Sequence, residues 1–327
     1  MLERMLPHIV PGLIYGIGSL GLALSFRYLR FPDFTALGSI MLGGIICVSV
    51  TNLTNSIFGI LGGLFIGSLL GLATGWLVHR LRIQPVLAGI ITFTGSASIG
   101  YLLATQGGSI GLTHGSILSP TFSFKDVIGI TVFAIVVCAF ISFLIKTKFG
   151  SLLLAMTADR HFLRLRHRSQ GKVFTITLVI GNAIVGLAGA LYALKEHAAQ
   201  VQSHVDFLPY SLGAIFGGNA VTMWVSRTLT KGNLRNPAEE THKTNYKRLL
   251  YTLGNIMSTE RDDSSRIGVL FFVYVLGCLF FKEVSGLVLS NAFTTINPSF
   301  TVPPNFQYLV IAFLIAFFVW WAGWEED

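Results

Sequence analysis

The chain of 327 residues is 52% hydrophobic and only 12% charged, with a mean hydropathy of +0.68 and a formal net charge of +8. A soluble domain carries roughly 25% charged residues, so this composition excludes an ordinary water-soluble enzyme and points to a polytopic membrane protein. The positive balance is explained by membrane topology and attraction to anionic lipid, with no nucleic-acid partner needed.

Apolar runs approaching the ~20 residues that cross a hydrocarbon core fall near 7–29, 35–53, 56–79, 85–105, 125–146, 173–194, 208–225, 267–289 and 306–322. They predict an all-α helix bundle of about 8–10 transmembrane helices, built as a single membrane domain over 1–327. The first run is expected to remain as a span, because it is long and no small-residue cleavage pattern follows it.

Between the first two runs, Arg27-Tyr28-Leu29-Arg30-Phe31-Pro32-Asp33-Phe34-Thr35 interrupts an otherwise apolar stretch. Pro32 lacks a backbone donor and stops or kinks a helix. The segment reads either as a short cytoplasmic turn or as a broken helix lining a translocation path, since irregular backbone at depth is tolerated only against protein or a water-filled cavity. In the second reading Asp33 caps the following helix, where the dipole favours a carboxylate. Asp33, Thr35 and Ser39, with Thr92 and Thr94 of the fourth run, are then the candidate pathway residues.

The third run carries Gly59, Gly63, Gly67, Gly71 and Gly75, one glycine per turn and so a flat stripe for close helix packing. The sixth repeats the pattern with Asn182, Gly186, Gly189 and Ala190. Such a stripe serves static packing or a surface along which helices shear. Cys47, Cys138 and Cys278 each lie within an apolar run and read as small buried hydrophobes. In the 267–289 run, Lys282 and Glu283 are adjacent, so they point to different helix faces and suit a helix end or break better than a proton relay.

Lysine and arginine fall on alternate connections: Arg27 and Arg30, Arg80 and Arg82, the 146–172 segment, and 227–266. Cytoplasmic loops retain these residues, which places all four connections and the C-terminus inside and the N-terminus outside. The 226–266 stretch is a polar cytoplasmic insertion. Segment 147–172 holds six basic residues against Asp159 alone. Thr157 or Asp159 is positioned to cap a short amphipathic helix running to about 168, with Phe162, Leu163, Arg164 and Arg166 available to lie on lipid or to seat in a partner's groove. No phosphate-binding glycine loop, HExxH or GxSxG pattern occurs, and the histidines lack metal-ligand spacing. Neither a catalytic nor a metal site is expected.

Several motifs carry a family resemblance. Asp33-Phe34-Thr35 with Gly38-Ser39 and Leu42-Gly43, then Ile83-Gln84-Pro85-Val86-Leu87-Ala88-Gly89 through Gly95, then Thr147-Lys148-Phe149-Gly150, and finally Gly181-Asn182-Ala183 with Gly186 to Leu191 follow in order. In order and spacing they resemble the permease subunits of ATP-binding-cassette importers, in the branched-chain amino acid and ribose branch, and most of all the permeases grouped with tryptophan and tyrosine uptake. The resemblance implies a type II importer permease fold, alternating access, and a cytoplasmic coupling helix within 147–172. It also implies a separate ATPase subunit that binds ATP and Mg, an extracytoplasmic solute-binding protein, a second permease copy in a homodimer or heterodimer, and the bacterial cytoplasmic (inner) membrane. The basic Leu165-Arg166-His167-Arg168 and the 226–266 insertion depart from the family pattern. An ion-coupled secondary transporter and a non-transporting scaffold are the alternatives.

Overall fold

A computed structural model describes residues 2–104, 107–113, 115–119, 123–158 and 170–232, with Val275 and Gly277. The expected spans at 267–289, with Cys278, Lys282 and Glu283, and at 306–322 lie outside these residues apart from Val275 and Gly277.

Among the described residues eight α-helices follow in order: α1 (Leu2–Leu24), α2 (Thr35–Leu53), α3 (Ser56–Arg80), α4 (Pro85–Leu103), α5 (Phe124–Lys146), α6 (Lys148–Ala158), α7 (Gln170–Glu196) and α8 (Ser203–Gly232). Six segments, one in each of α1–α5 and α7, are long and apolar enough to cross a membrane. A π-helical turn, Ser25–Leu29, extends α1. The starts obey local rules. The Asn55 side chain accepts from the Phe58 N–H at 3.2 Å to cap α3, and Pro85 opens α4, where a missing donor costs nothing.

One detail corrects the sequence expectation. The helix placed at 208–225 runs from Ser203 to Gly232, taking in the first residues of the polar insertion, and it is not among the six candidate spans. The all-α fold expected from the sequence stands, with one short pair of strands beside the helices. Strands β1 (Ser109–Gly111) and β2 (Ala198–Gln200) pair antiparallel, with Ile110 opposite Ala199. That pairing joins the connection after α4 to the one after α7, so both lie at the same end of the bundle. At this end Asn52 donates to the Gly111 carbonyl at 3.0 Å and accepts from the Thr113 N–H at 2.8 Å. Lys195 donates to the Ser119 carbonyl at 2.7 Å.

Helix α7 is the hub, packing against α1, α2 and α3. Glycines permit the close approach. A Cβ on Gly67 would run into the Asn182 carbonyl, one on Gly71 into the Leu178 carbonyl, and one on Gly63 would lie 2.7 Å from the Ala190 Cβ. Gly75 meets Thr175 of α7, whereas Gly59 at the other end of the stripe meets Thr51 and Cys47 of α2. Gly186 of α7 is held between Gly43 of α2 and Gly63 and Gly67 of α3, and Gly21 of α1 abuts Gly181. The buried share of the spans falls from 89% for α1 to 28% for α4. Helix α1 is therefore core, while α3, α4 and α5 turn Phe65, Ile91, Ile128 and Phe143 outward, as lipid-facing helices do.

Candidate functional site: a buried polar network at the helix break

The π turn ends at Arg30, whose φ of 54° and ψ of 41° place it in the left-handed region. That reversal turns the chain back into the bundle. Arg27, Arg30 and Pro32 remain exposed, while Phe31 and Asp33 are buried. The break is thus a turn at the basic end of the bundle that inserts a carboxylate among the helices. π turns recur at functional sites in helical proteins.

Asp33 accepts three hydrogen bonds: from the Thr35 N–H at 3.0 Å, from the Asn182 side-chain amide at 2.8 Å and from the Ser25 hydroxyl at 3.3 Å. The expected capping role takes a particular form. Phe34 occupies the cap position, and Asp33 reaches the first turn of α2 from one residue earlier. The Asn182 carbonyl oxygen accepts from the Ser39 hydroxyl at 2.7 Å, and its amide also donates to the Leu178 carbonyl at 3.1 Å. One asparagine in mid-α7 therefore ties together the π turn, the connection and α2. Among the described residues the partners of Asp33 are all neutral. Burial pushes its carboxyl above the usual range, opposed by the hydrogen bonds from Asn182, Thr35 and Ser25.

A second chain of hydroxyls crosses from α2 to α4. Thr35 Oγ1 lies 2.7 Å from Thr74 Oγ1, Thr74 donates to Thr92 at 2.8 Å, and Thr92 donates to the Ala88 carbonyl at 3.0 Å. Each hydroxyl has one proton, so Thr35 must be the donor to Thr74. Every buried polar group in this chain is satisfied, as hydrocarbon surroundings demand.

Of the pathway residues expected from the sequence, Asp33, Thr35, Ser39 and Thr92 come together in these two chains. Thr94 does not. It is exposed on α4 and donates to its own helix at the Ile90 carbonyl, 2.9 Å away. Its two-residue offset from Thr92 turns it by about 200° around the helix. Sequence reasoning missed Ser25 and Thr74, and it noted Asn182 only for packing. An asparagine in mid-span was the available signal, since polar groups at that depth need partners.

The Thr147-Lys148-Phe149-Gly150 motif forms a tight joint between α5 and α6. Thr147 donates through both its N–H and its hydroxyl to the Leu144 carbonyl, ending α5, and its own carbonyl accepts from the Ser151 N–H at 3.1 Å to start α6. Gly150 passes against the Ile145 carbonyl, where a Cβ would collide. Phe149 and Leu153 of α6 then fill an apolar seam with Leu24, Ile141, Thr177 and Ile180, and α6 packs on the π turn. Thr157 lies inside α6, one residue before its end at Ala158, and the helix it was expected to cap, running to about 168, falls outside the described residues. Asp159, Phe162, Leu163, Arg164 and Arg166 lie outside the described residues.

A family model described as branched-chain amino acid transport system / permease component matches residues 5–234. A tyrosine transport system permease protein of Clostridioides difficile (strain R20291) is 25% identical over 228 residues, covering 67% of this chain and 73% of that relative. No solved structure matches the chain.

Proposed function

The chain belongs to the branched-chain amino acid transport permease family of ATP-binding-cassette importers, and from that premise we propose that it moves a small amino acid, aromatic by first preference, by alternating access across the bacterial cytoplasmic membrane. A multi-pass permease subunit has no ATP-driven chemistry of its own to supply. Under this reading a separate ATPase subunit binds ATP and Mg and docks on the basic segment 147–172. A solute-binding protein delivers the solute at the opposite end, and a second permease copy, identical or related, completes the pathway.

The observation that carries the reading is the seating of α6 on the π turn, whose neighbour Asp33 is fastened to mid-α7. A push on the cytoplasmic segment thereby reaches the hub helix through packed side chains and hydrogen bonds. Rigid-body transitions work through such contacts, which have discrete arrangements and do not deform continuously. The hydroxyl and carboxylate chains are the contacts that would exchange partners as α2 and α7 move.

The preference for an aromatic solute draws on the name of the Clostridioides difficile relative and on a cluster of rings between α1, α7 and α8. Tyr15 stacks on Tyr192 at 4.9 Å and on Tyr210 at 5.7 Å, with Phe207 at 6.2 Å. These are the separations at which aromatic rings attract one another, and a solute ring meets the same surfaces when the helices part. A proton-coupled transporter is the second reading, favoured by the buried Asp33 with its raised carboxyl.

Purification of the tagged chain from native membranes in mild detergent, followed by mass spectrometry, tests the proposal. A stoichiometric ATP-binding-cassette ATPase is the expected companion, and any solute-binding protein recovered with it is then screened against tyrosine, tryptophan and leucine. A stable oligomer of this chain alone, under conditions that preserve other importers, would overturn the reading. Uptake that persists after deletion of the ATPase would select the proton-coupled one.

A further inference from the structure

We propose that a groove between the basic ends of α3 and α7 is a binding site for one anionic phospholipid of the adjacent leaflet. The groove has a volume of about 560 Å³. The two helices touch where Gly75 faces Thr175, and they touch again where Gly171 faces the ring of His79. Both glycines let the helices approach closely at these contacts, and the groove runs beside them, its lining and rim formed by the larger residues around. His79 is set edge-on against Phe174, with ring centroids 5.3 Å apart, which fixes its place on that rim.

The lining is sorted by depth. Leu72, Trp76 and Ile176 form an apolar floor, 49%, 55% and 45% exposed. His79, Arg80 and Lys172 stand at the end nearer the aqueous phase, and none of the described residues that line the groove is acidic. From Leu72 to Arg80 the helix rises about 12 Å, the distance from the upper acyl chain to the phosphate of a bilayer lipid. Tryptophan is favoured at the headgroup level, where its apolar ring and N–H meet both phases. A lipid acyl chain covers the floor while its phosphate meets cations contributed by two different helices.

A soluble anion meets the positive charge of the rim but leaves Trp76 and its apolar neighbours uncovered. A zwitterionic lipid covers the floor but brings its own cation to a basic rim. An anionic phospholipid does neither, and basic pockets between helices at the cytoplasmic face suit such headgroups. The proposal depends on the membrane setting of the bundle and not on which solute it carries.

The test uses the full chain in vesicles of phosphatidylcholine containing brominated phosphatidylglycerol or, in parallel, brominated phosphatidylcholine, with tryptophan quenching as readout. The difference between the wild type and W76F isolates the Trp76 signal. Preferential quenching of that signal by the brominated phosphatidylglycerol is expected. R80Q and K172Q, at exposed positions, should each lower the preference about five-fold, the effect of the ~1 kcal/mol that a cation near an anionic membrane surface contributes. Equal quenching by both lipids, or a preference that survives the R80Q/K172Q double substitution, would overturn the site. Glycerol phosphate in the aqueous phase should leave the quenching unchanged. If it abolishes the preference at micromolar concentration, the groove takes a soluble anion and the lipid assignment fails.

Discussion

Asp33 shows how one buried carboxylate organises a helix break. Its two oxygens take the Thr35 N–H, the Asn182 amide and the Ser25 hydroxyl, so removing them orphans buried donors. Asp33→Ala is expected to destabilise the bundle by about 1–3 kcal/mol, the cost of leaving a buried polar group unsatisfied. Asp33→Asn, which keeps an acceptor toward Thr35, should cost less, and thermal melting in detergent measures both. The raised carboxyl has a signed consequence. Because the folded state favours the protonated form, its contribution is complete below the ordinary value of 3.8 and is lost as pH rises through the higher folded value. The melting temperature of the wild type should therefore fall across that window, and Asp33→Asn should flatten the dependence. A wild-type curve that rises there would show that the ionised form is the stabilised one.

At the scale of elements, helix contacts are decided by what is absent from glycine. Helix α3 is apolar on every side, so hydrophobicity alone does not say which face turns inward; the stripe from Gly63 to Gly75 does. Gly67→Ala would press a methyl group into the Asn182 carbonyl and should reduce the melting temperature markedly. Gly95→Ala on exposed α4, with nothing within 4 Å among the described residues, should be neutral or stabilising by up to about 1 kcal/mol through helix propensity. Equal effects at the two positions would remove the packing argument. The α5–α6 joint makes a sharper case. Gly150→Ala collides with the Ile145 carbonyl, so α6 must shift away from the π turn. The expected outcome is a protein that inserts and purifies but has lost most of its solute uptake, measured in reconstituted vesicles with its partners.

The whole molecule has a basic end and an end with few charges, and its parts are distributed accordingly. Arg27, Arg30, Arg80, Arg82, Lys146, Lys148 and Lys172 flank one set of helix termini, while β1, β2 and their connections close the other. By the charge bias of membrane insertion the first end is expected on the cytoplasmic side, the side on which we propose that an ATPase docks against segment 147–172. Reversal of charge at Arg164 and Arg166 is expected to leave insertion intact while separating ATP hydrolysis from uptake in the assembled transporter. Normal coupling in that variant would move the docking element elsewhere, with 226–266 the next segment to test.

Much of this was legible in the residue order. The first six spans follow from apolar runs and the helix break from Pro32, because bilayer thickness and backbone chemistry each act on short stretches of chain. The glycine stripe was equally plain, since one residue per turn defines a face. The partners of Asp33 were not. Asn182 is 149 residues away from it and Thr74 is 39 from Thr35, and only the packing of α2, α3 and α7 brings them within hydrogen-bonding distance. The same packing separated Thr92, which joins the network, from Thr94, which faces outward. Periodicity places two residues on opposite sides of a helix, but only the neighbouring helices determine which side is buried.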